Sequence, residues 1–418
     1  MKKWMAGLLT AAIAVGGSVA GGVYPTAAAG STAPATFKDI KGHWAENSIK
    51  EAVEKGLTGG YPDGTYKPNA TITRGEFAVL LGRATKLQSA PDATAAVDFI
   101  TEKGHWTESG VKKLADLGLI AGADYGKGFK STEPITRYEM MKWMAMGLMQ
   151  SSESFKTAYE ETTKTLLPTP EHTRGEIGAA QVPYIALIRG TAVMSGFKYG
   201  EMKPKQTTTR AEVATILLRY LQTEGKDAAT FPVLNELREV GMTGTNMMTA
   251  TKYRPLKNTL PISAAIGKKM ITPIHKFEIT MHSYIFVEYK NLKPIGTYAG
   301  VFSEEFTPHT SGGASYYYVY PEATMKSNKS KESYDTNTLI NEFNRVGNNF
   351  LAAAKYPKEI VDRSGLYAAG STNGGTENLP DKGETKRMWF KARIYSGSII
   401  IRLGEEPGEK VWVTTERW

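Results

Sequence analysis

The sequence predicts a chain in two parts, an α-helical half built from repeated helix–loop–helix units and a strand-rich α+β half after it. Three observations predict this. ITRGEF at Ile72 to Phe77 returns as ITRYEM at Ile135 to Met140 and as TTRAEV at Thr208 to Val213. Upstream, GHWAE at Gly42 to Glu46 returns as GHWTE at Gly104 to Glu108. From about Gly225 the repeats stop and β-branched, aromatic runs replace them. Self-similar units of this size share a core with their neighbours, because each is too small to bury enough surface alone.

Length and composition set the outer limits. With 418 residues, 41% hydrophobic and 22% charged, the chain is long and apolar enough for several packed domains. The absence of cysteine excludes disulfides, thiolate catalysis, cysteine-ligated zinc, iron–sulfur clusters and an acylated cysteine anchor. The net charge of +9 is spread thinly, with +2 in residues 30–224 and +5 in residues 225–418. Anion recognition must therefore come from particular side chains and not from a bulk field.

The first segment reads as an export signal over residues 1–29. Lys2 and Lys3 precede a small, apolar stretch from Ala6 to Ala20, and Ala27 to Ala29 offer a cleavage site before Gly30. An uncleaved anchor is the alternative. No later segment has the length to span a bilayer, so the mature chain is expected to carry no transmembrane segment. Export argues against nucleic acid as a partner despite the charge.

Each repeat reads as two helices around a glycine-rich loop, over residues 30–92, 93–155 and 156–224. Ile49, Ala52, Val53 and Gly56 keep helical spacing, as do Val111, Leu114, Ala115 and Gly118. GGYPDGTYKPN, Gly59 to Asn69, is turn chemistry. The second helix begins on T-x-x-E in every unit: Thr73 and Glu76, Thr136 and Glu139, Thr209 and Glu212. That is the capping box. The arginine inside it, at positions 74, 137 and 210, is not explained by capping, because a cation opposes the positive end of the helix dipole. Two readings stand: a receptor for carboxylate or phosphate, formed with free helix N–H groups, or an arginine neutralised by a neighbouring Asp or Glu. Thr173 to Glu176 is a fourth T-R-x-E, out of place in the unit, and reads as an ordinary capping box.

Phe37 to Thr85, with its aspartate, HW pair, GYPDGT loop and TRGE start, resembles an S-layer homology module, and three such modules cover about residues 37–222. The resemblance implies a pseudo-trimer of modules with grooves between them. It implies noncovalent binding of a pyruvylated secondary cell wall polysaccharide, at the wall or surface layer, with other surface-layer subunits as further candidate partners. Carried over by motif, Arg74, Arg137 and Arg210 would meet the pyruvyl carboxylate. Asp39, Trp44 and Trp106 would line grooves, and Gly60, Tyr61 and Asp63 would shape the loop wall. Two departures bear on this. Thr101 stands where Asp39 would be in the second module, and the third module has neither HW nor the loop aspartate. Arg210 is therefore expected to matter least.

No family is recognised in the carboxyl half. Strands are expected at Lys276 to Lys290, Ser315 to Tyr320, Lys386 to Tyr395, Ser398 to Leu403 and Lys410 to Trp418, a helix from Thr336 to Ala354, and a surface loop from Ala368 to Lys386. The tyrosines of Tyr316 to Tyr320 suit a half-buried strand better than a sugar-stacking strip. No catalytic residue, metal set or cofactor motif is identified: HExxH and GxSxG do not occur, and Gly122 to Lys127 has the wrong spacing for a phosphate loop. A structural or ligand-binding half is expected, with a wall-tethered carbohydrate-active enzyme or protease as the alternative. The polar stretch Lys226 to Thr230 predicts that this half folds by itself.

Overall fold

The computed structural model describes residues 36–89, 98–100, 103–126, 128–255, 257–272, 274–291, 293–302, 316–335, 379–394, 399–402 and 410–415, and residues 338, 341 and 365 singly. The signal segment, Thr101, the helix expected from Thr336 and most of the loop expected from Ala368 lie outside these residues.

The capping boxes form as written. Helices α2 (Arg74–Ala84), α4 (Arg137–Ser151) and α8 (Arg210–Thr223) start on Thr73, Thr136 and Thr209. Each threonine accepts the backbone N–H of Glu76, Glu139 or Glu212, whose carboxylate accepts the threonine's own N–H. Thr136→Ala should cost about 0.5–2 kcal/mol, visible as a lowered Tm. The first helices of the units are α1 (Glu46–Glu54), α3 (Glu108–Asp116) and α7 (Val182–Gly190). Their periodic residues, among them Ile49 and Ala52, Val111 and Leu114, are buried as the spacing predicts.

The units close on one another in a ring. Helix α3 packs on α2, α7 on α4 and α1 on α8. The Arg74 N–H donates to the Glu133 carbonyl, Arg137 N–H to Gln206 and Arg210 N–H to Ala70, at 2.8, 2.8 and 2.9 Å. The following N–H groups, of Gly75, Tyr138 and Ala211, donate to Ser131, Pro204 and Pro68. Each second helix is thus tied to the loop of the next unit, and the third to the loop of the first. Lys67, Lys130 and Lys203 hold the same left-handed place in the three loops, with φ of 56°, 54° and 49°.

Between the second helix of the second unit and the first helix of the third lie two α-helices that periodicity did not reveal, α5 (Glu153–Glu161) and α6 (Pro170–Thr173). The fourth T-R-x-E is not a capping box. Thr173 ends α6, whose start is set by Pro170, and Gly175 at φ +76° turns the chain out of it. Arg174 pairs with Glu176 at 2.7 Å beyond that turn.

The junction at Gly225 does not divide the core. Helix α9 (Pro232–Thr243) lays Leu234, Leu237 and Val240 into the helical half, against α5 and α7. It lies so close that a Cβ on Gly241 would fall 2.0 Å from the Glu161 carbonyl oxygen. Gly241→Val should push the helices apart and cost about 1–3 kcal/mol or more, with a matching fall in Tm. A short helix, α10 (Met247–Ala250), follows and leads into the strands.

Strands form in each of the five expected stretches, and three short ones, at Tyr253–Pro255, Lys269–Ile271 and Lys293–Ile295, form where none was expected. In the main sheet β2 (Lys269–Ile271), β3 (Glu278–Lys290), β5 (Tyr316–Lys326) and β6 (Thr385–Trp389) are antiparallel neighbours. Strand β4 (Lys293–Ile295) pairs with β3 and β7 (Ala392–Ile394) with β5. A second sheet runs β1 (Tyr253–Pro255), β9 (Lys410–Thr415), β8 (Ile399–Arg402). Strand β6 takes over the end of the surface loop expected to reach Lys386.

Both faces of the main sheet are covered, so the period-2 alternation of β3 is blurred. Ile285, Val287, Tyr289, Tyr320 and Trp389 join the core of the helices, while Phe286, Val319, Ala323 and Met388 build a second core with Tyr253 and Phe277. Tyr320 stacks on Phe302 at 4.2 Å, so this part of the tyrosine run serves packing. From the short helix α11 (Ala299–Phe302) and its approach, the Tyr298 hydroxyl donates to the Leu166 carbonyl at 2.7 Å. Apolar residues of the carboxyl half are thus part of the helical core, packing that the expectation of a separately folding half did not foresee.

Candidate functional site

The three arginines sit at the joints of the ring, each reaching into the loop of the next unit. Arg210 donates from Nε to the Tyr66 carbonyl at 2.9 Å and from a terminal nitrogen to the Gly59 carbonyl at 2.8 Å. Its guanidinium lies 4.7 Å from the Tyr66 ring centroid and 5.1 Å from that of Tyr61. Arg137 donates from Nε to the Met202 carbonyl at 2.9 Å and lies 4.7 Å from the Phe197 ring. Both are buried, at 5% and 3% exposure. Burial pulls the Arg137 pKa down, against Glu212 and Glu171, which push it up; a guanidinium stays charged regardless.

The arginines differ in the carboxylates that face them. Arg74 donates from Nε to Glu139 at 2.8 Å and has Glu133 at 3.4 Å. Arg137 has Glu212 only at 4.0 Å. Arg210 has no carboxylate within 4 Å among the described residues. The reading of a neutralised arginine therefore fits Arg74, while Arg210 is a buried cation held by carbonyl dipoles and aromatic faces. The helix starts themselves do not supply free N–H groups: the first two of each are spent on the next loop and the third on the threonine cap.

Two grooves open beside Arg210 and Arg137, and three units contribute to each. The Arg210 groove has Thr58 and Gly59 from the first loop, Glu76 and Arg83 from α2, and Trp106 from the second unit. The Arg137 groove has Ser195 and Phe197 from the third loop, Glu212 and Arg219 from α8, and Trp44 from the first unit. The exposed rings of Trp44 and Trp106, at 66% and 36%, thus stand in grooves whose arginines belong to other units. By the same rotation the tryptophan of the Arg74 groove would come from the third unit, which has no HW. The missing motif bears on Arg74 and leaves Arg210 untouched.

The remaining predicted residues build the first loop. Asp39 does not line either groove described above. Its carboxylate accepts the Tyr66 and Lys67 N–H groups at 2.8 Å each and so pins the strand of loop that carries the carbonyl to Arg210. Burial raises its pKa, but the two backbone N–H donors outweigh that and bring it below the usual carboxylate range. A depressed folded pKa gives a contribution present above the unfolded value and lost as pH falls through the folded one. Protection factors of the Tyr66 and Lys67 amides should therefore hold at neutral pH and drop below about pH 4, and Asp39→Ala should lower them at every pH. Asp63 closes the turn by accepting from Thr65 N and Oγ1 at 3.0 and 2.6 Å. Gly60 is required by the Phe37 ring, which a Cβ would meet at 2.0 Å.

Sequence reasoning missed Arg83, Arg219, Phe197 and Ser195. A signal existed for the arginines: each follows the arginine of its own T-R-x-E by nine residues. In the carboxyl half, Glu236 and Glu239 are a carboxylate pair on α9 of the kind hydrolysis would need. Their oxygens are already engaged: Glu239 accepts from Met248 N, Thr249 N and Thr249 Oγ1, and Glu236 from Asn246 and Thr297. No group of three His, Asp or Glu that could hold a metal occurs among the described residues, and no helix among them is long and apolar enough to cross a membrane.

Residues 36–78 and 101–141 match the family model of the S-layer homology domain. The chain is 30% identical over 257 residues to an S-layer protein of Bacillus licheniformis, covering 60% of this chain and 26% of that one. It is 30% identical over 253 residues to S-layer protein EA1 of Bacillus anthracis, covering 59% and 26%. It is 39% identical over 99 residues to a cellulosome-anchoring protein of Acetivibrio thermocellus, covering 22% of each. The chain thus spans about a quarter of the length of these relatives. The matches place it among the cell-wall-anchored proteins of the cell surface.

Proposed function

We propose that this chain, which carries S-layer homology domains, is held noncovalently on the cell wall by a pyruvylated secondary cell wall polysaccharide bound in the Arg210 and Arg137 grooves. The observation that carries this is the state of Arg210: a buried guanidinium with no carboxylate within 4 Å among the described residues, opening on a groove with an exposed indole. A ketal-linked pyruvate offers the carboxylate that such a cation lacks. Its sugar offers an apolar face for Trp106 or Trp44. The three modules, residues 30–92, 93–155 and 156–224, form the pseudo-trimer that makes the grooves, a reading supported by the ring of backbone hydrogen bonds.

The carboxyl half acts as a structural or ligand-binding part that remains packed on the anchor, where other surface-layer subunits are its candidate partners. The engaged oxygens of Glu236 and Glu239 support this over hydrolysis. The test uses the full chain on purified wall, before and after mild acid has removed the ketal pyruvate. Binding should be lost with the pyruvate, and no reducing sugar or peptide should be released. Equal binding to the depyruvylated wall would overturn the ligand, and steady release of soluble sugar would restore the hydrolase.

A further inference from the structure

Each open groove holds two arginines, and the second has no part in building the fold. In the Arg210 groove it is Arg83, exposed on the last turn of α2 and making no hydrogen bond or ion pair among the described residues. In the Arg137 groove it is Arg219, exposed on α8, with the neutral Ser195 hydroxyl at 3.2 Å. The two are equivalent, each nine residues along its helix from the T-R-x-E arginine. Nine residues are two and a half turns, or about 13.5 Å of helix. The inner and outer cations of one groove come from different units, Arg210 with Arg83 and Arg137 with Arg219. The Arg74 groove breaks the pattern. At the equivalent place on α4 stands Met146, and its inner arginine is already paired with Glu139.

From this we propose that the two grooves read a di-acidic stretch of polymer: one acidic group against the buried guanidinium, and a second, on the adjoining sugar, against Arg83 or Arg219. The inference rests on the groove reading above. Among the described residues, two cations against the one lining carboxylate of each groove, Glu76 or Glu212, leave it net positive, and an acidic ligand relieves the repulsion between them. The buried arginine, fixed by carbonyls and dry, sets affinity. The outer one, wet and mobile, selects the neighbour and is screened by salt. The second acid is a carboxylate of a uronic acid or a phosphate, since both meet a planar guanidinium by two parallel hydrogen bonds.

The test is calorimetry of the full chain at low salt with four probes: a pyruvyl-ketal hexoside alone, and the same sugar joined to a neutral hexose, to a glucuronic acid, and to a hexose phosphate. The wild type should prefer an acidic disaccharide to the neutral one by about tenfold, and the acid that gives the gain identifies its source. The double variant Arg83→Gln, Arg219→Gln should lose that preference and bind the three disaccharides alike. Raising the salt should remove the preference in the wild type. Equal binding of all three disaccharides by the wild type, or a preference that survives the double variant, would overturn this proposal and leave the pyruvate reading intact. Failure of every pyruvylated probe to bind would overturn both.

Discussion

Arg210→Ala is expected to remove about 2–5 kcal/mol of binding from its groove, a larger loss than the same change at Arg74. No carboxylate lies within 4 Å of the buried guanidinium among the described residues, and Glu76 in the same groove offsets its charge less than Glu139 does that of Arg74. Arg137→Ala should act likewise in the second groove, with Glu212 at 4.0 Å taking part of the effect. Arg210→Lys should restore charge without the planar fork and recover binding only in part. Arg74→Ala should leave binding almost unchanged and instead lower stability by about 1–3 kcal/mol, because Glu139 loses its 2.8 Å partner. Calorimetry with a pyruvylated saccharide and thermal melting, run on the same variants, separate the two effects. The order Arg74 above Arg210 in binding would show that the ligand enters by the groove that Glu139 fills.

Residues 225–418 expressed alone are expected to give no cooperative melt. Leu234, Leu237 and Val240 of α9 would face water, as would Tyr298, Val301 and Phe302, all of them at 2% exposure or less in the whole chain. Exposing a side chain of this class costs about 1.5–3 kcal/mol, and together these exceed the margin by which a domain is usually stable. A chain ending at Glu224 should suffer for the same reason, since α5 and α7 lose the helix that covers them. Differential scanning calorimetry should show one transition for the whole chain. Two independent transitions, each reproduced by a separate half, would defeat the prediction.

What could be read without coordinates was local. In the repeats, capping is written in a threonine and a glutamate three residues apart just ahead of an apolar stripe, and all three boxes formed. The longer strands were visible as β-branched and aromatic runs, whose side chains suit a pleated, half-buried surface, while the short strands β1, β2 and β4 were not. Helices α5 and α6 escaped notice: they lie outside the repeat, and α6 is a single turn set by Pro170. The T-R-G-E at Thr173 misled for the same local reason, since four residues fit both a helix start and the end of a helix that a proline began earlier.

Residue order alone settles that this chain repeats a helix–loop–helix unit, caps each second helix and carries an arginine at each cap. What those arginines face is settled only by packing. A groove assembled from a loop of one unit, a tryptophan of the next and an arginine of the one before cannot be judged from the motifs of any single unit. The missing HW of the third unit therefore leaves the Arg210 groove furnished with Trp106 and falls on the groove of Arg74. Whether a buried cation is neutralised also depends on contacts 65 residues apart, such as Arg74 with Glu139. Spacing along the chain fixes helices and turns, but the partner of a charge is chosen by how the ring closes.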